Sequence, residues 1–234
     1  MFSEGRERAA LIRSMFDRIA QQYDLMNWLM TLGQDRSWRR RVIGEAQLPR
    51  NGRLLDVATG TGRIAEEALR QNPGSWVLGV DSSLGMMRVG KNRLTEQNVV
   101  WCAGDALCLP CADSSFDAVV SGYLIRNVGD IQQAFREQVR VVKPGGRIVC
   151  LETAPPPNNI LRPLILFHLR VIIPLVGRWI TGDTSAYTYL PESTRRFAPP
   201  EEIARIMQAE GLEGVHCQRL MFGTMMILTA TRPY

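Results

Sequence analysis

Two hydrophobic patterns divide the chain. From Arg6 to Gln47, apolar and aromatic side chains recur every three or four residues, which predicts amphipathic helices; they are Met15, Phe16, Ile19, Tyr23, Met26, Leu29 and Met30. From Arg53 to Glu152, short β-branched runs alternate with helical stretches, which predicts a parallel sheet with helices on both faces. We therefore expect a helical cap over residues 1–50 and an α/β core over residues 51–154, within one domain that spans residues 1–234.

The end of the chain has a different pattern. A predicted helix from Pro200 to Glu210 is followed by two β-like runs, Gly214 to Leu220 and Met225 to Thr231, with Phe222-Gly223 between them. This spacing predicts a β-hairpin. A parallel sheet that ends in an antiparallel pair is a mixed sheet, which an ordinary dinucleotide-binding fold would not need. We expect a seven-stranded, mostly parallel sheet with an antiparallel last strand, closed by residues 200–234.

The most apolar stretch is ILRPLILFHLRVIIPLVGRWI, residues 160–180. It is long enough to cross a bilayer. Its arginines make spanning unfavourable, at roughly 2.5–3.5 kcal/mol for an arginine at the membrane centre. Two interpretations stay open: a buried helix pair, or an apolar lid over residues 155–199 whose arginines reach lipid headgroups while its leucines enclose an apolar substrate.

The stretch LLDVATGTGR, Leu54 to Arg63, has the features of a nucleotide-type cofactor site. A predicted strand is followed by Gly60 and Gly62, which let a ligand approach the backbone, and the next helix offers amide hydrogens to an anion. Asp81 ends the second predicted strand, where a carboxylate can accept both ribose hydroxyls. GTGRIA also fits a loose G-x-G-x-x-A pattern, so this stretch alone leaves a dinucleotide open.

A third predicted strand end, Gly104-Asp105 followed by Ala106, helps to identify the cofactor, because an acidic side chain there can form a hydrogen bond with an adenine amino group. The ordered set D-x-x-x-G-x-G, strand-end Asp, G-D-A, L-P, F-D and K-P-G-G resembles the Rossmann-like class I methyltransferases that use S-adenosyl-L-methionine. The resemblance implies this cofactor. The predicted cofactor-binding residues are Asp56, Gly60, Thr61, Gly62, Asp81, Ser82, Asp105, Ala106 and Gly122.

Four longer blocks narrow the resemblance to the C-methyltransferase family of ubiquinone and menaquinone biosynthesis. They are YDLMNWLMTLGQDRSWRR (Tyr23 to Arg40), SGYLIRNV (Ser121 to Val128), RVVKPGGRIVCLE (Arg140 to Glu152) and YTYLPESTRRF (Tyr187 to Phe197). The resemblance implies C-methylation of a prenylated quinol ring, from demethylmenaquinol to menaquinol or at the equivalent benzoquinol. Methylation of another phenolic or lipid acceptor, and a non-catalytic cofactor-binding scaffold, stay open.

Several positions depart from that family's pattern, and they leave the identity of the quinol open. Asp35 stands in place of a histidine, Leu124 in place of a glycine and Ala154 in place of a serine; Arg63 replaces a common aspartate.

The resemblance makes Arg126 and Asn127 the active-site pair. A ring carbon becomes a good nucleophile when the adjacent hydroxyl loses its proton, and a guanidinium with a pKa above about 12 is a poor base. We therefore expect Arg126 to stabilise the developing oxyanion and Asn127 to orient the ring oxygen. Tyr23 and Asp24 are candidates to carry the proton away; an ordinary packing tyrosine and an N-cap aspartate are the alternatives.

Composition limits the partners. The formal charge is +5. The densest basic stretch, Arg36 to Arg41, could face anionic lipid or nucleic acid, but it is more typical of a solvated helix face, so we expect no nucleic-acid partner. Five cysteines, including Cys108 and Cys111, predict neither a disulfide framework nor a metal site. The start of the chain lacks a signal-peptide pattern, so we expect a cytoplasmic protein. Contact with the inner face of the membrane and a homodimer are left open.

Overall fold

A computed structural model of the chain describes residues 2–95, 98–181, 189, 192–194 and 197–234. Three helices come first: α1 (Phe2–Ile19), α2 (Tyr23–Met30) and α3 (Asp35–Ala46). The central part alternates β1 (Arg53–Val57), α4 (Arg63–Gln71), β2 (Trp76–Asp81), α5 (Leu84–Arg93), β3 (Val99–Ala103), β4 (Phe116–Gly122), a 3-10 turn (Ile125–Asn127), α6 (Ile131–Val141) and β5 (Val142–Thr153). After α7 (Arg162–Phe167) and α8 (Ile173–Thr181), the chain ends with α9 (Pro200–Ala209), β6 (Glu213–Leu220) and β7 (Met225–Thr231).

The seven strands form one mixed sheet in the order β3-β2-β1-β4-β5-β7-β6. Strands β1 to β5 are parallel to one another, and β7 is antiparallel to both β5 and β6. This confirms the predicted seven-stranded sheet and its antiparallel last strand. The strand order reverses between β1 and β4, and in parallel α/β sheets a ligand binds at the carboxyl ends of the strands at this point.

Alternating side chains of the strands build a core on each face of the sheet. Leu55 of β1 belongs to the core under α6 and α9, whereas its neighbour Leu54 belongs to the core under α3 and α4. Helix α3 therefore packs on the sheet itself, through Trp38 and Val42. The rest of the N-terminal helical region, α1 and α2, forms a third and smaller cluster with Ile173 of α8.

The predicted end of the third strand is wrong by two residues. β3 stops at Ala103, and Asp105 closes a turn in which its carbonyl accepts the N–H of Cys108 (3.0 Å) and its side chain accepts the N–H of Leu107 (2.9 Å). A side chain that bonds its own backbone two residues on favours a turn over a continued strand.

Residues 162–181 form one continuous helical run rather than the buried helix pair that was one of the two interpretations. A π-helical turn (His168–Ile172) joins α7 to α8, next to Pro174, which has no N–H to donate. Ile173 is buried, but Leu164 is 66% and Phe167 53% exposed. No helix in the described part of the chain combines the length and apolarity needed to cross a bilayer. Residues 182–188 of the predicted lid lie outside the described residues.

Candidate active site

A cavity of about 440 Å³ lies at the carboxyl ends of the parallel strands. Its floor consists of the loops that follow β1, β2, β3 and β4, and its roof includes α1 and Tyr23 at the start of α2. Of the predicted site residues, eight line it: Tyr23, Gly60, Asp81, Ser82, Asp105, Ala106, Gly122 and Asn127. The structure thus brings the predicted cofactor loops and part of the predicted catalytic set to one place.

Asp81 joins two of these loops. Its Oδ2 accepts the N–H of Gly60 and its Oδ1 accepts the N–H of Ser83, each at 2.7 Å. Gly60 has φ +56°, and a Cβ there would lie 3.2 Å from the terminal methyl of Met86. Burial raises the pKa of Asp81, and the hydrogen bonds from the two loops oppose this shift. The carboxylate is therefore held rigidly at the cavity wall.

Three predicted cofactor-binding residues do not line this cavity. Asp56 is buried beneath the loop, where its Oδ2 accepts the hydroxyl of Thr59 (2.7 Å), and burial raises its pKa to about 7. Gly62 begins α4 with φ +74°, and a Cβ there would lie 2.5 Å from the ring of Trp101. Thr61 donates its hydroxyl to Asp24 Oδ1 (2.7 Å). These residues shape the glycine loop from behind.

The loop that carries Asp105 and Ala106 is fixed from α6. Glu137 accepts the N–H of Leu109 (2.7 Å), and Gln133 donates to the carbonyl of Leu107 (3.1 Å). Hydrogen bonds between side chains and backbone replace the missing strand ladder here. The acidic side chain of Asp105 is exposed at the cavity edge.

Arg126 is buried and lies behind the described lining of the cavity. Its guanidinium forms a hydrogen-bonded ion pair with Glu152 of β5 and lies 5.1 Å from the centre of the Tyr123 ring. Burial alone would lower the pKa of Arg126, but Glu152 and the nearby phenols raise it by more. The pKa is therefore raised overall, and the guanidinium stays cationic. Among the described residues, its buried Nε has no hydrogen-bond partner.

Asn127 faces the cavity with a fixed orientation. Its Nδ2 donates to the carbonyl of Tyr123 (2.7 Å), and its Oδ1 accepts the hydroxyl of Tyr189 (3.0 Å). No role for Tyr189 follows from sequence reasoning; the available signal is the block Tyr187 to Phe197, of which Tyr187 lies outside the described residues. The structure adds Tyr189 to the candidate active site.

Tyr23 and Asp24 are neighbours in sequence but face different spaces. Tyr23 lines the cavity and contacts Phe16 edge to face, with 5.9 Å between ring centres. Burial raises the pKa of Tyr23, which keeps the phenol protonated. Asp24 does not line this cavity; its Oδ2 accepts from Nε of Arg63 (2.8 Å). Since Gln22 is the N-cap of α2, the N-cap interpretation of Asp24 is wrong.

Polar contacts tie the helical cap to the loops of the sheet. Asp17 of α1 accepts the hydroxyl of Ser83 (2.6 Å) and the N–H of Gly85 (2.8 Å) at the start of α5. Asp24 of α2 binds Thr61 and Arg63 at the start of α4. The roof of the cavity is thus bonded to two of the loops that form its floor.

The cysteines lie outside this arrangement. All five are free thiols; Cys108 is exposed and Cys150 is buried beside Ser121. In the part of the chain that the structure describes, no group of three potential metal ligands comes together.

Comparison with known proteins gives consistent matches over most of the chain. The model of the ubiE/COQ5 methyltransferase family matches residues 3–232. A ubiquinone/menaquinone biosynthesis C-methyltransferase UbiE of Desulfotalea psychrophila is 46% identical, and the match covers 91% of this chain and 87% of the relative's length. A demethylmenaquinone methyltransferase of Roseiflexus sp. (strain RS-1) is 43% identical, and the match covers 97% of this chain and 95% of the relative's length. Among solved structures, a Haloferax volcanii complex of the Trm112 methyltransferase activator with a methyltransferase matches with a TM-score of 0.68 at 17% identity, covering 94% of this chain and 98% of that one.

Proposed function

Because the chain belongs to the ubiE/COQ5 methyltransferase family, we propose that it transfers a methyl group from S-adenosylmethionine to a ring carbon of a prenylated quinol. The acceptor is demethylmenaquinol or the equivalent benzoquinol. One observation supports the proposal beyond family membership: a single cavity is lined by the glycine loop, Asp81, Tyr23 and Asn127. Tyr189 donates its hydroxyl to Asn127, so these polar groups can bind a hydroxylated ring.

The residues present fit the cofactor. Gly60 leaves open a space beside Met86 that a Cβ would fill. Asp81 would accept the ribose hydroxyls, and Asp105 with Ala106 would hold the adenine. S-adenosylmethionine supplies the methyl group on a sulfonium, which is the electrophile of the reaction. Asp81 ends strand β2, and Gly60, Asp105 and Ala106 lie on the loops after β1 and β3, where a rigid sheet positions the side chains.

Arg126 and Asn127 favour the ionised form of the acceptor. The phenol–amide pair of Tyr189 and Asn127 would orient the ring oxygen, and the buried guanidinium of Arg126 supplies a fixed positive charge nearby. A charge in a water-poor site stabilises a developing oxyanion more than it would in water. Glu152 holds that charge in place, because it accepts both the guanidinium and the backbone N–H of Arg126.

The helical run from Arg162 carries an exposed apolar stripe that we assign to a membrane surface. The stripe comprises Ile160, Leu161, Leu164, Phe167, Val171, Ile172 and Leu175, which are between 36% and 94% exposed. The opposite side of the run packs on the cap through Leu169, Ile173 and Val176. No acidic residue occurs from Thr153 to Gly182, whereas Arg162 and Arg170 are exposed on the run. An apolar stripe flanked by arginines matches an anionic lipid surface, where a prenylated substrate would reside.

The function is tested with purified protein, S-adenosylmethionine carrying a labelled methyl group, and reduced quinols with short prenyl tails. We expect the labelled methyl group to appear as a new substituent on a ring carbon of the quinol, and the rate to fall on Asn127→Ala. Quinone profiling of a strain that lacks this gene should show a demethylated quinone. An unchanged quinone profile, or label found only in other phenols or lipids, would show that the acceptor is not a prenylated quinol.

The membrane assignment is tested separately by sedimentation with anionic vesicles. Leu164→Asp with Phe167→Asp should release the protein from the vesicles. Leu11→Asp is the matched control, because Leu11 is 72% exposed on α1. Equal sedimentation of the stripe variant and the control would refute a lipid-facing stripe.

A further inference from the structure

A second, smaller cavity lies on the far side of the wall of the main cavity. Its volume is about 50 Å³. The two cavities share five wall residues: Tyr23, Ala58, Gly60, Gly122 and Tyr123. Most of the other side chains around the small cavity are polar, and they include Asn27, Asp35 and Thr59.

The small cavity also borders an open groove between α2, α3 and α4. The groove has a volume of about 1160 Å³. Asp24, Asp35, Arg39 and Arg63 line both the small cavity and this groove. By these shared wall residues, the small cavity lies between the main cavity and the open groove, with Tyr23 at the first boundary and Asp24 and Asp35 at the second.

We propose that the small cavity is the exit route of the proton released by methyl transfer, with Tyr23 as its entrance and Asp24 and Asp35 at its outlet. The inference rests on the proposed function. Methylation of a ring carbon forms a C–C bond while the sulfonium C–S bond breaks with its electron pair returning to sulfur. The hydroxyl proton leaves to make the nucleophile, the ring C–H proton is lost afterwards, and one of the two returns to the oxygen. One proton per turnover must therefore reach solvent.

The small cavity has the size and lining to conduct that proton. Because a water molecule needs about 10–15 Å³ of such volume and two to four polar partners, the polar small cavity has room for a few waters. Tyr23, hydrogen-bonded to Asn27, can accept a proton from a ring hydroxyl while it passes its own proton to the small cavity. No separate phenolate is required in this transfer.

Asp35 is positioned rigidly at the outlet. It is 3% exposed, its Oδ1 accepts the N–H of Arg36 (2.9 Å), and its Oδ2 pairs with Arg39 (2.7 Å). Asp24 is held by Thr61 and Arg63 in the same way. Both carboxylates stabilise a proton in transit at the mouth of the passage, and their arginine partners return each site to its resting charge state.

Two variants interrupt the route at different points without touching the cofactor loops. Asp35→Asn removes the outlet carboxylate and keeps its shape. Asn27→Leu makes the lining apolar and removes the partner of Tyr23. Glu66→Gln is the matched control, since Glu66 pairs with Arg63 and Arg93 and lines the groove but not the small cavity.

The measurements are single-turnover methyl transfer in H₂O and D₂O, proton release followed with a pH indicator, and cofactor affinity by calorimetry. We expect both route variants to react about tenfold or more slowly, with a larger solvent isotope effect and unchanged cofactor affinity. Formate or azide should restore much of the rate of Asp35→Asn. The control should match the wild type.

Three outcomes would overturn the route: wild-type rates in both variants, slow rates with an unchanged isotope effect, or no recovery of Asp35→Asn with either small base. A thermal unfolding midpoint near that of the wild type excludes misfolding as the cause of a slow rate. Failure of the proposed function is distinguishable, because the wild-type protein would then transfer no methyl group to any quinol.

Discussion

The buried carboxyl of Asp56 should make the stability of the protein depend on pH in a way that one substitution removes. Asp56 is 1% exposed, and burial raises its pKa from 3.8 to about 7. Between these two values the folded protein binds more protons than the unfolded chain. The free energy of unfolding therefore falls as the pH rises between these values and levels off above about 7. Asp56→Asn keeps the shape of the side chain and removes the titration.

The size of the effect follows from the two pKa values. With a pKa of about 7 in the folded protein and 3.8 in the unfolded chain, raising the pH from 5 to 8.5 lowers the free energy of unfolding of the wild type by about 3 kcal/mol relative to Asp56→Asn. Asp81 also has a raised pKa, but it is present in both proteins, so its contribution largely cancels in the difference. A constant penalty or gain from the amide cancels as well.

The assay is urea unfolding followed by tryptophan fluorescence at several pH values between 5 and 8.5. Glu7→Gln on α1 is the control, because its carboxylate is exposed and its removal changes no buried charge. If the difference between the wild type and Asp56→Asn stays constant within about 0.5 kcal/mol over this range, the folded protein does not hold a protonated Asp56. The glycine loop would then pack over a buried, charged Asp56.

Further predictions concern the ion pair, the cofactor loop and the start of α4. Arg126→Met should lower the free energy of unfolding by about 3–5 kcal/mol in urea melts, since it leaves Glu152 buried and unpaired. Adding Glu152→Met should recover part of this stability but no methyl transfer. If the double variant instead lost as much stability as the two single variants together, the two residues would not form a direct pair. Asp81→Asn should weaken binding of S-adenosylmethionine in calorimetry about tenfold or more, and unchanged affinity would remove Asp81 from the cofactor site. Gly62→Ala should destabilise the protein by about 2 kcal/mol or more through its positive φ and the Trp101 ring, and a stability equal to that of the wild type would show that the ring moves freely.

Much of the fold could be predicted because local patterns and tertiary structure agree in the central sheet. Strands β2 (Trp76–Asp81) and β4 (Phe116–Gly122) coincide with the apolar runs WVLGVD and FDAVVSG of the sequence, and β2 ends at Asp81 as predicted. The end of β3 could not be predicted from its run, because the side chain of Asp105 bonds the backbone two residues on and turns the chain. The family resemblance is confirmed by the match over residues 3–232.

The site was less predictable than the fold, since its geometry depends on contacts between distant residues. Gly60 and Gly62 have the same sequence signature, yet only Gly60 faces the cavity, and Trp101 decides the role of Gly62. Arg126 and Glu152 are 26 residues apart, so no local pattern indicates their ion pair. The structure also explains one departure from the family pattern, because Arg63 donates a hydrogen bond to the carboxylate of Asp24.

The hydrogen bonds between helices α1 and α2 and the loops of the sheet couple ligand binding to the docking of these helices. The roof helices α1 and α2 touch the same cavity as the loops, and Asp17 and Asp24 bond them to the N-terminal ends of α5 and α4. A molecule that fills the cavity contacts both parts, so by linkage it strengthens their union by as much as that union strengthens its own binding. Any event that loosens the first thirty residues, such as proteolysis or a charge change at Asp17, should therefore lower the affinity for a molecule that fills the cavity.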